Sequence, residues 1–495
     1  MKLFLKGHTE RYPVEQLQLQ LFANEPSEYV SVPFSEEDGT ICAFSEGKRW
    51  LCATTTIFYH GQKATAQKRL AKEKADVRLK RRILQQSYYL AAVKILKTAP
   101  PWGALSGVRP SKLSTKCMQQ GGSEKDADRL LRDVYFVSDE RRKLCIDASR
   151  HTIEAAELLS PKDLSVYIGI PFCPTRCAYC SFVSQSIERF GDFLPPYLDA
   201  LAREIEYTGR LLKASGYRIR SLYMGGGTPT TLSAAQMENL LKKIADSFDL
   251  SGCLEFTVEG GRPDTLNEEK LRVIKNGGCT RISINPQTMS DSVLAAIGRH
   301  HTCKQTLDAY ACAKKLGFDD INMDLIAGLP ADDEKSFARS VSQIISLQPS
   351  NVTVHTLALK KGAALFHSRM PMPSADEVSS MLTDAISQLR AAQYAPYYLY
   401  RQKYMSGSFE NVGWCKSGYT GLYNIYMMEE LHTVLSLGGG GMNKINLPAG
   451  ALERYHNPKY PQDYISRIDT ILKQKDEIFA LLSKLDTMRT DKEIG

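Results

Sequence analysis

The chain has 495 residues, of which 43% are hydrophobic and 24% charged, and its formal net charge is +8. This composition is that of a soluble globular protein, and the length is too great for one ordinary domain, so we expect two or three. No apolar run approaches the roughly 20 residues that a membrane span needs, and no secretory signal is visible. We therefore expect a cytoplasmic protein without a membrane span. Its twelve cysteines then suit metal binding or chemistry better than disulfides.

Residues 1–160 are predicted to form a separate α+β domain. The alternating runs KLFLKGH, YVSVPFS and RWLCATTTIFY indicate a small sheet, and helical patterns follow at about 64–97 and 123–159. The prolines and glycines of PPWGALSGVRPSK forbid regular structure between those helices. Because this loop carries Trp102, Arg109 and Lys112, it is either a ligand contact or a structural corner.

The segment HGQKATAQKRLAKEKADVRLKRRIL, residues 60–84, concentrates the positive charge. Nine lysines and arginines stand against Glu73 and Asp76, so the segment holds seven of the eight excess charges. We predict a basic helix here. Such a helix is sometimes a nucleic-acid footprint, but this one has no aromatic residues between its charges. A solvated helix face or a patch for acidic small molecules is favoured, and no nucleic-acid partner is expected.

Residues 161–360 are predicted to form a barrel-like domain. Six short apolar runs alternate with amphipathic stretches such as YLDALAREIEYTGRLLK; the runs are SVYIGIPF, SLYMGG, LEFTVE, TRISIN, DINMDLI and SNVTVHT. Six strand–helix alternations indicate parallel βα units, hence a doubly wound sheet or a barrel. In either fold the functional groups lie at the carboxyl ends of the strands.

The remaining residues, 361–495, break this rhythm and are predicted to form a C-terminal α+β region on the open side of the barrel. A helix near 374–393 precedes the strand-like YAPYYLYRQKYM, the glycine-rich SLGGGGMNKI and a terminal helix. No internal repeat of the solenoid type is visible.

Three cysteines stand close together after the first barrel strand. Cys173, Cys177 and Cys180 have the spacing C-x3-C-x2-C within VYIGIPFCPTRCAYCSF. A structural zinc site usually takes four ligands in two close pairs, and the sequence offers no second pair. Three thiolates on one loop suit three irons of a cubane iron–sulfur cluster, and the fourth iron is then open to a substrate or cofactor.

Glycine and polar residues stand at the ends of the other barrel strands or on the loops that follow. Glycines let the backbone approach a ligand closely, and the exposed backbone groups suit a carboxylate or ammonium headgroup. Any one of the polar side chains is more often a fold-stabilising group, but their shared position at one edge predicts a site. The residues are Gly225, Gly226, Gly227 and Thr228 of YMGGGTPT, Glu259 of LEFTVE, Gln287 after RISIN, Arg299 of IGRHH and Asp324 of INMD.

The sequence CPTRCAYC, with an aromatic residue before its last cysteine, resembles the radical S-adenosylmethionine (SAM) motif. The resemblance implies a [4Fe–4S] cluster whose open iron binds SAM, and a 5′-deoxyadenosyl radical that takes hydrogen from a substrate. With GGGTPT and DLIAGLP, residues 164–360 are similar to the oxygen-independent coproporphyrinogen oxidase (HemN-type) family. The stretches GALSGVRPSK and YYLYRQKYMSGSFENVGW resemble its HemZ subgroup.

Matched position by position, this resemblance implies a partial (β/α)6 TIM-like barrel and assigns cofactor residues. Tyr167, Gly226 and Glu259 would contact the SAM on the cluster. A second SAM is an open alternative, and the residues that would line its site are Tyr179, Gly227, Thr228, Gln287, Arg299, Asp324 and Ala358. The resemblance also implies a reducing partner such as flavodoxin or ferredoxin.

Two positions depart from the family. Its decarboxylases have a histidine two residues after the first-strand tyrosine, where this chain has Gly169. They also have a cysteine two residues past the third ligand, where this chain has Phe182. These departures leave the radical chemistry intact and put the substrate and the second SAM in question.

Three functions follow from the resemblance. The leading one is oxidative decarboxylation of coproporphyrinogen III to protoporphyrinogen IX in haem biosynthesis. The second is a haem chaperone of the same branch, for which His300, His301 and His355 are candidate axial ligands. The third keeps radical catalysis but changes the substrate, as in methyl transfer to haem or another tetrapyrrole.

Arginine suits the propionates of a tetrapyrrole because its fork binds a carboxylate bidentately and stays protonated. Arg401 in YLYRQKYM is the first candidate, and the others are Lys403, Arg109 and the basic helix. Tyr398, Tyr400 and Tyr404 flank Arg401 and would lie against a macrocycle. The alternative is an arginine that pairs with a neighbouring acid such as Glu410.

Overall fold

The computed structural model describes residues 1–22, 25–34, 37–182, 184–368, 370–402 and 409–494. The chain divides into two compact units, Met1–Arg150 with Leu399–Glu410 and His151–Tyr398 with Asn411–Gly495. The three domains expected at 1–160, 161–360 and 361–495 stay a prediction. Among the helices of these described ranges, none is long and apolar enough to cross a membrane.

The first unit is built on a five-stranded sheet of order β2-β1-β3-β4-β5. Strand β1 pairs in parallel with β2 and β3, whereas β3, β4 and β5 pair antiparallel. Among the described residues 29–34 of YVSVPFS, Tyr29 alone lies in a strand. The elements are β1 (Lys2–Lys6), α1 (Arg11–Leu21), β2 (Glu28–Tyr29), β3 (Gly39–Glu46), β4 (Trp50–Tyr59), β5 (Gln62–Ala71), α2 (Val77–Leu96), α3 (Ser111–Gln119), α4 (Glu124–Arg129) and α5 (Asp139–Glu157).

The prediction of one basic helix across 60–84 is wrong. Residues 62–71 form β5, which pairs with β4 along its whole length. Ala64 and Ala66 are buried there while Lys63, Thr65 and Gln67 are exposed, which is the period of two of a strand. Only then does α2 begin at Val77, where the Asp76 side chain accepts from the Leu79 amide. The many charges concealed this alternation.

The second unit contains one eleven-stranded open sheet, of order β14-β15-β13-β12-β11-β10-β9-β6-β16-β17-β18. Its elements up to residue 356 are β6 (Asp163–Ile170), β7 (Phe172–Cys173), β8 (Gln185–Ser186), α6 (Ile187–Phe190), α7 (Leu194–Ser215), β9 (Arg218–Gly226), α8 (Ala234–Ser247), β10 (Glu255–Gly261), α9 (Glu268–Asn276), β11 (Arg281–Ile284), α10 (Asp291–Ala296), α11 (Cys303–Lys315), β12 (Asp320–Ala327), α12 (Glu334–Leu347) and β13 (Asn351–Thr356). The six predicted barrel runs are β6, β9, β10, β11, β12 and β13, and they pair in parallel in this order. The partial (β/α)6 barrel is therefore confirmed.

The C-terminal elements extend the sheet at both edges, and the expected packing of residues 361–495 on the open side of the barrel stays a prediction. Strand β15 pairs antiparallel with β13, and β16 pairs in parallel with β6. The elements are α13 (Ala375–Ala391), β14 (Ala395–Arg401), β15 (Glu410–Cys415), α14 (Leu422–Glu429), β16 (Thr433–Leu437), β17 (Met442–Asn446), β18 (Leu452–His456), α15 (Pro461–Ser466) and α16 (Ile468–Ile494). A parallel partner for β6 explains why the glycine-rich turn after β16 lies beside the first barrel strand.

A buried ion pair holds this glycine-rich turn in place. Glu204 of α7 and Lys475 of α16 are both fully buried, and their Oε1 and Nζ atoms are 3.1 Å apart. Glu204 Oε2 accepts from the Gly438 amide at 2.8 Å, and Lys475 donates to the Ser436 carbonyl at 2.7 Å. A pair buried this deeply is stable only with such additional hydrogen bonds.

The glycine-rich turn also packs on β6, the first barrel strand. The Tyr197 hydroxyl donates to the Gly169 carbonyl at 2.6 Å and accepts from the Gly439 amide at 2.8 Å. A Cβ atom at Gly169 would lie 2.9 Å from the Gly439 carbonyl oxygen and 3.5 Å from that of Leu437. This close backbone contact explains why residue 169 is a glycine.

Candidate functional site

The three cysteines lie on residues 171–182, the cluster loop, which follows β6. Hydrogen bonds from three sides hold this loop. The Ala178 amide donates to the Ile297 carbonyl at 3.0 Å, and the Ala178 carbonyl accepts from the Leu365 amide at 2.8 Å. Arg262 Nη1 donates to Thr175 Oγ1 at 2.5 Å. Contacts with the barrel and with the segment after β13 thus fix the conformation of this loop.

The three thiols lie within electrostatic reach of one another. Burial, with a smaller contribution from the neighbouring thiol of Cys177, raises the pKa of Cys173 and raises that of Cys180 to about 11. Thr228 Oγ1 lies 3.4 Å from Cys173 Sγ. All three residues are partly exposed, so a ligand can reach them.

Three partly exposed thiols on one braced loop fit a cubane cluster, because a cubane takes each thiolate on a different iron. Within the described ranges, no group of three His, Cys, Asp or Glu side chains is placed to hold a single metal ion.

The second predicted group surrounds Glu259, which lies two residues before the end of β10. Tyr223 Oη donates to Glu259 Oε1 at 2.8 Å, and the Gly226 amide donates to Oε2 at 3.2 Å. Burial raises the pKa of Glu259 to about 7, although the hydrogen bond from Tyr223 acts in the opposite direction. A Cβ atom at Gly225 would lie 2.6 Å from Oε2, so a glycine is required beside this carboxylate.

An aromatic stack lies next to this carboxylate. The ring centroids of Tyr223 and Tyr423 are 4.5 Å apart, and Tyr167 stacks at 6.2 Å from Tyr223 and 6.5 Å from Tyr423. Sequence reasoning found Tyr167 but missed the other two. Tyr223 precedes Gly225 by two residues and so shares its face of β9, which is a usable signal. Tyr423 on α14 has no comparable signal.

The glycine turn after β9 packs directly on the cluster loop. The Gly227 amide donates to the Ile170 carbonyl at 2.8 Å, and the Thr228 amide donates to the Phe172 carbonyl at 2.7 Å. A Cβ atom at Gly227 would lie 2.5 Å from the Phe172 carbonyl oxygen. Gly226 has φ 112°, a left-handed conformation that favours glycine. The turn thereby connects the cysteine group with the Glu259 group.

Arg299 joins the cluster loop to the loop after β11. Its guanidinium is 5% exposed; Nη1 donates to Tyr179 Oη at 3.0 Å and Nη2 donates to the Asn285 carbonyl at 2.9 Å. Burial raises the pKa of the Tyr179 hydroxyl, which Arg299 partly offsets. Arg262, which sequence reasoning missed, is a second buried arginine that braces the same loop.

Gln287 and Asp324 meet through their backbones. The Gln287 amide donates to the Asp324 carbonyl at 2.9 Å, and Gln287 has φ 70°. Asp324 was expected at the end of its strand, but β12 continues to Ala327, because the apolar residues after Asp324 extend the pairing with β13. Ala358 lies on the loop two residues beyond β13.

The Asp324 side chain points to His355. His355 Nε2 lies 3.7 Å from Asp324 Oδ2, and Asn322 donates to Oδ1 at 2.7 Å. Burial favours the neutral acid, yet His355 and Asn322 hold the pKa of Asp324 below its ordinary value. Of the other candidate haem ligands, His300 is exposed. His301 is 2% exposed, and burial lowers its pKa to about 3.

Arg401 is buried within the first unit. It is 4% exposed, its guanidinium donates to the Leu105 carbonyl, and it lies 5.2 Å from the centre of the Trp102 ring. Burial lowers the pKa of Arg401 to about 10, and the charge of Glu410 acts in the opposite direction. Lys403 and Tyr404 lie outside the described residues, while Arg109 and Lys112 stand at the start of α3.

Comparisons with known proteins agree with this geometry. Residues 167–344 match the family model described as the radical SAM superfamily. The chain is 39% identical over 393 residues to the oxygen-independent coproporphyrinogen-III oxidase-like protein HemZ of Bacillus subtilis, covering 77% of this chain and 78% of that protein. It is 33% identical over 235 residues to the heme chaperone HemW of the same species, covering 46% and 60%. The solved structure of coproporphyrinogen III oxidase (HemN) from Escherichia coli matches with a TM-score of 0.52 at 22% identity, over 64% of this chain and 72% of that one.

A partial (β/α)6 barrel with three cysteines on the loop after its first strand defines the class of radical SAM proteins. These proteins use a [4Fe–4S] cluster and SAM as cofactors. Within this superfamily, the chain belongs to the family of the oxygen-independent coproporphyrinogen-III oxidase-like protein HemZ.

Proposed function

We propose that the protein is a radical SAM enzyme that converts coproporphyrinogen III to protoporphyrinogen IX without oxygen. The observation that carries the proposal is the backbone connection between the cluster loop and the Glu259 group. Through Gly227 and Thr228, a buried carboxylate is held beside a loop of three thiols. The name of the HemZ relative supports the substrate, and the fold shared with HemN is consistent with it.

In this proposal, Cys173, Cys177 and Cys180 hold the cluster. Glu259 and the backbone of Gly226 bind polar groups of SAM, and Tyr167 contacts SAM from the neighbouring strand. When bound, the cluster and SAM would supply the radical chemistry that removes a hydrogen atom from a substrate propionate. The carboxylate would then leave as carbon dioxide, and the remaining electron would pass to an electron acceptor as the vinyl group forms.

We also propose a second SAM site, which the family resemblance suggests. It would be lined by Tyr179, Gly227, Thr228, Gln287, Arg299, Asp324 and Ala358. Two contacts support this grouping: Arg299 donates to Tyr179 of the cluster loop, and the Gln287 amide donates to the Asp324 carbonyl of β12. Equilibrium binding of radiolabelled SAM to the cluster-loaded protein tests this proposal. Two equivalents per chain are expected, and saturation at one equivalent would contradict it.

A haem chaperone is the second candidate, and two observations favour it. The chain is related to HemW, a heme chaperone by its name. The backbone around Gly169 leaves no space for the histidine of the related decarboxylases. A chaperone would bind haem stoichiometrically without turnover, and changing His355, which is half-buried beside Asp324, would remove the axial ligand.

One anaerobic experiment separates the functions. The cluster-loaded protein is incubated with SAM, a reductant and coproporphyrinogen III, and the products are analysed by mass spectrometry. Loss of two carbon dioxide molecules per tetrapyrrole is expected, with formation of 5′-deoxyadenosine. A methylated tetrapyrrole with S-adenosylhomocysteine would support methyl transfer. Tight haem binding without any product would support the chaperone.

A further inference from the structure

The cluster loop and residues 357–368 carry exposed side chains that the proposed chemistry does not use. Phe182 is 69% exposed and Phe366 is 44% exposed. Arg176, Lys360 and Lys361 are exposed as well. Large apolar side chains grouped at a surface together with charges of one sign mark interaction sites. We call these five residues the cluster-loop patch.

Hydrogen bonds join the two segments of the patch. Arg176 Nη2 donates to the Gly362 carbonyl at 2.8 Å. The Leu365 amide donates to the Ala178 carbonyl at 2.8 Å, between two of the cysteines. The segment with Lys360, Lys361 and Phe366 is therefore fastened to the loop that holds the cluster. A protein bound to this patch would lie directly outside the thiols.

The charge of the patch has one sign. Residues 171–182 and 357–368 include Arg176, Lys360 and Lys361 but no aspartate or glutamate. Such a surface attracts an acidic partner and repels a second copy of this chain, whose net charge is also positive. Phe182 and Phe366 would supply the small apolar centre of the contact.

We propose that the cluster-loop patch is the docking surface of an acidic protein that carries single electrons. The inference rests on the proposed function, because SAM cleavage consumes one electron, which the reduced carrier gives up as it is oxidised. Electron-transfer complexes use small, transient interfaces whose encounter is steered by charge. Docking on the loop that holds the cluster also gives the electron a short path.

The test is a double charge reversal, Lys360→Glu with Lys361→Glu, measured with flavodoxin as the carrier. The affinity of oxidised flavodoxin for the cluster-loaded protein should fall about tenfold or more at low ionic strength, and the difference should shrink as salt is added. SAM cleavage driven by flavodoxin should slow by a similar factor. Cleavage driven by dithionite, a small reductant that needs no docking surface, should be unchanged.

The matched control reverses two exposed lysines elsewhere in the same unit. Lys213 is exposed in the last turn of α7, and Lys242 is exposed in the second half of α8, towards the amino ends of the barrel strands. Lys213→Glu with Lys242→Glu changes the net charge equally and should keep the flavodoxin affinity within about twofold. A neutral variant, Lys360→Gln with Lys361→Gln, should give an intermediate loss and guards against a folding defect.

Two results would contradict the proposed docking surface. The first is an equal affinity for flavodoxin in the patch variant and the control variant. The second is a rise in KM for the tetrapyrrole without any change in the affinity for flavodoxin. The second would make the lysines substrate contacts. Absence of SAM cleavage with dithionite in the unchanged protein would count against the proposed function instead. In that case, the affinity for flavodoxin still tests whether the cluster-loop patch is a docking surface.

Discussion

At the scale of single residues, the cysteines of the cluster loop carry the sharpest prediction. Cys177→Ala should abolish SAM cleavage, because each thiolate is expected on a different iron and two cannot hold a cubane firmly. Cys42→Ala is the control, since Cys42 is buried in the core of the first unit and should be dispensable. The measurement is 5′-deoxyadenosine formed per chain, together with iron and sulfide content. Full cleavage by the Cys177 variant would refute the cluster assignment.

Glu259 is the residue whose charge the SAM site depends on. Glu259→Gln keeps the shape of the side chain but removes its charge and replaces one of the two oxygens that accept from Tyr223 and Gly226 with an NH2 group. The affinity for SAM should fall by about 1.5 to 3 kcal/mol, as expected for a lost charge-assisted hydrogen bond. Isothermal titration gives the affinity, and the iron content should not change. An unaltered dissociation constant would make Glu259 a purely structural group.

The pKa of Glu259 also predicts how SAM binding depends on pH. Because burial raises this pKa to about 7, the carboxyl is protonated below neutrality and must lose its proton to bind a cation. The affinity for SAM should therefore be constant above pH 8 and fall towards tenfold per pH unit below 7. The Glu259→Gln variant should show a flat profile between pH 6 and 8. A sloping profile in that variant would assign the titration to another group.

At the scale of elements, the ion pair between α7 and α16 should determine how firmly the glycine-rich turn is held. Lys475→Met leaves the fully buried Glu204 without its counter-charge, so the free energy of unfolding should fall by about 3 to 5 kcal/mol. Urea denaturation measures the change. Lys473→Met on the exposed side of the same helix is the matched control, expected within about 0.5 kcal/mol of the parent. If both variants unfold alike, the ion pair has no special role.

At this scale, some elements could be predicted from the sequence and others could not. The six barrel strands and the cysteine motif were predictable because apolar runs and short spacings are local patterns. Strand β5 was not, because its small buried alanines alternate with charges that look helical. Asp324 was placed at a strand end, whereas β12 runs on to Ala327. Tyr423 could not be found, since its stacking on Tyr167 depends on contacts between residues far apart in sequence.

At the scale of the whole molecule, the first unit is discontinuous in sequence. Trp102 Nε1 donates to Glu410 Oε2 at 2.6 Å, and Arg141 Nε lies 2.9 Å from Glu410 Oε1. A fragment of residues 1–150 therefore lacks Glu410, the acid that pairs with Arg141 and accepts from Trp102. Both of these residues are buried, and Trp102 is 1% exposed. No boundary drawn from local patterns near residue 160 reveals this dependence.

A fragment of residues 1–150 should consequently be loosened around Trp102. With Trp50→Phe, Trp102 is the sole tryptophan of the fragment, and its fluorescence should shift to longer wavelength as water reaches the indole. The reference is the full chain with Trp50→Phe and Trp414→Phe, which retains Trp102 alone among the three tryptophans. Identical emission maxima in the fragment and the full chain would show that residues 399–410 are not needed there.

The same discontinuity sets an order of events on the ribosome. About 250 residues of the second unit are synthesised between Arg150 and Leu399. The first unit therefore stays incomplete while the barrel strands are synthesised. At ~5–20 residues per second, that interval lasts roughly 12 to 50 s. For this time Arg141 and Trp102 have no Glu410, and the nascent amino-terminal unit is open to chaperones and proteases. Translation of the final segment, rather than of the first 150 residues, completes the unit.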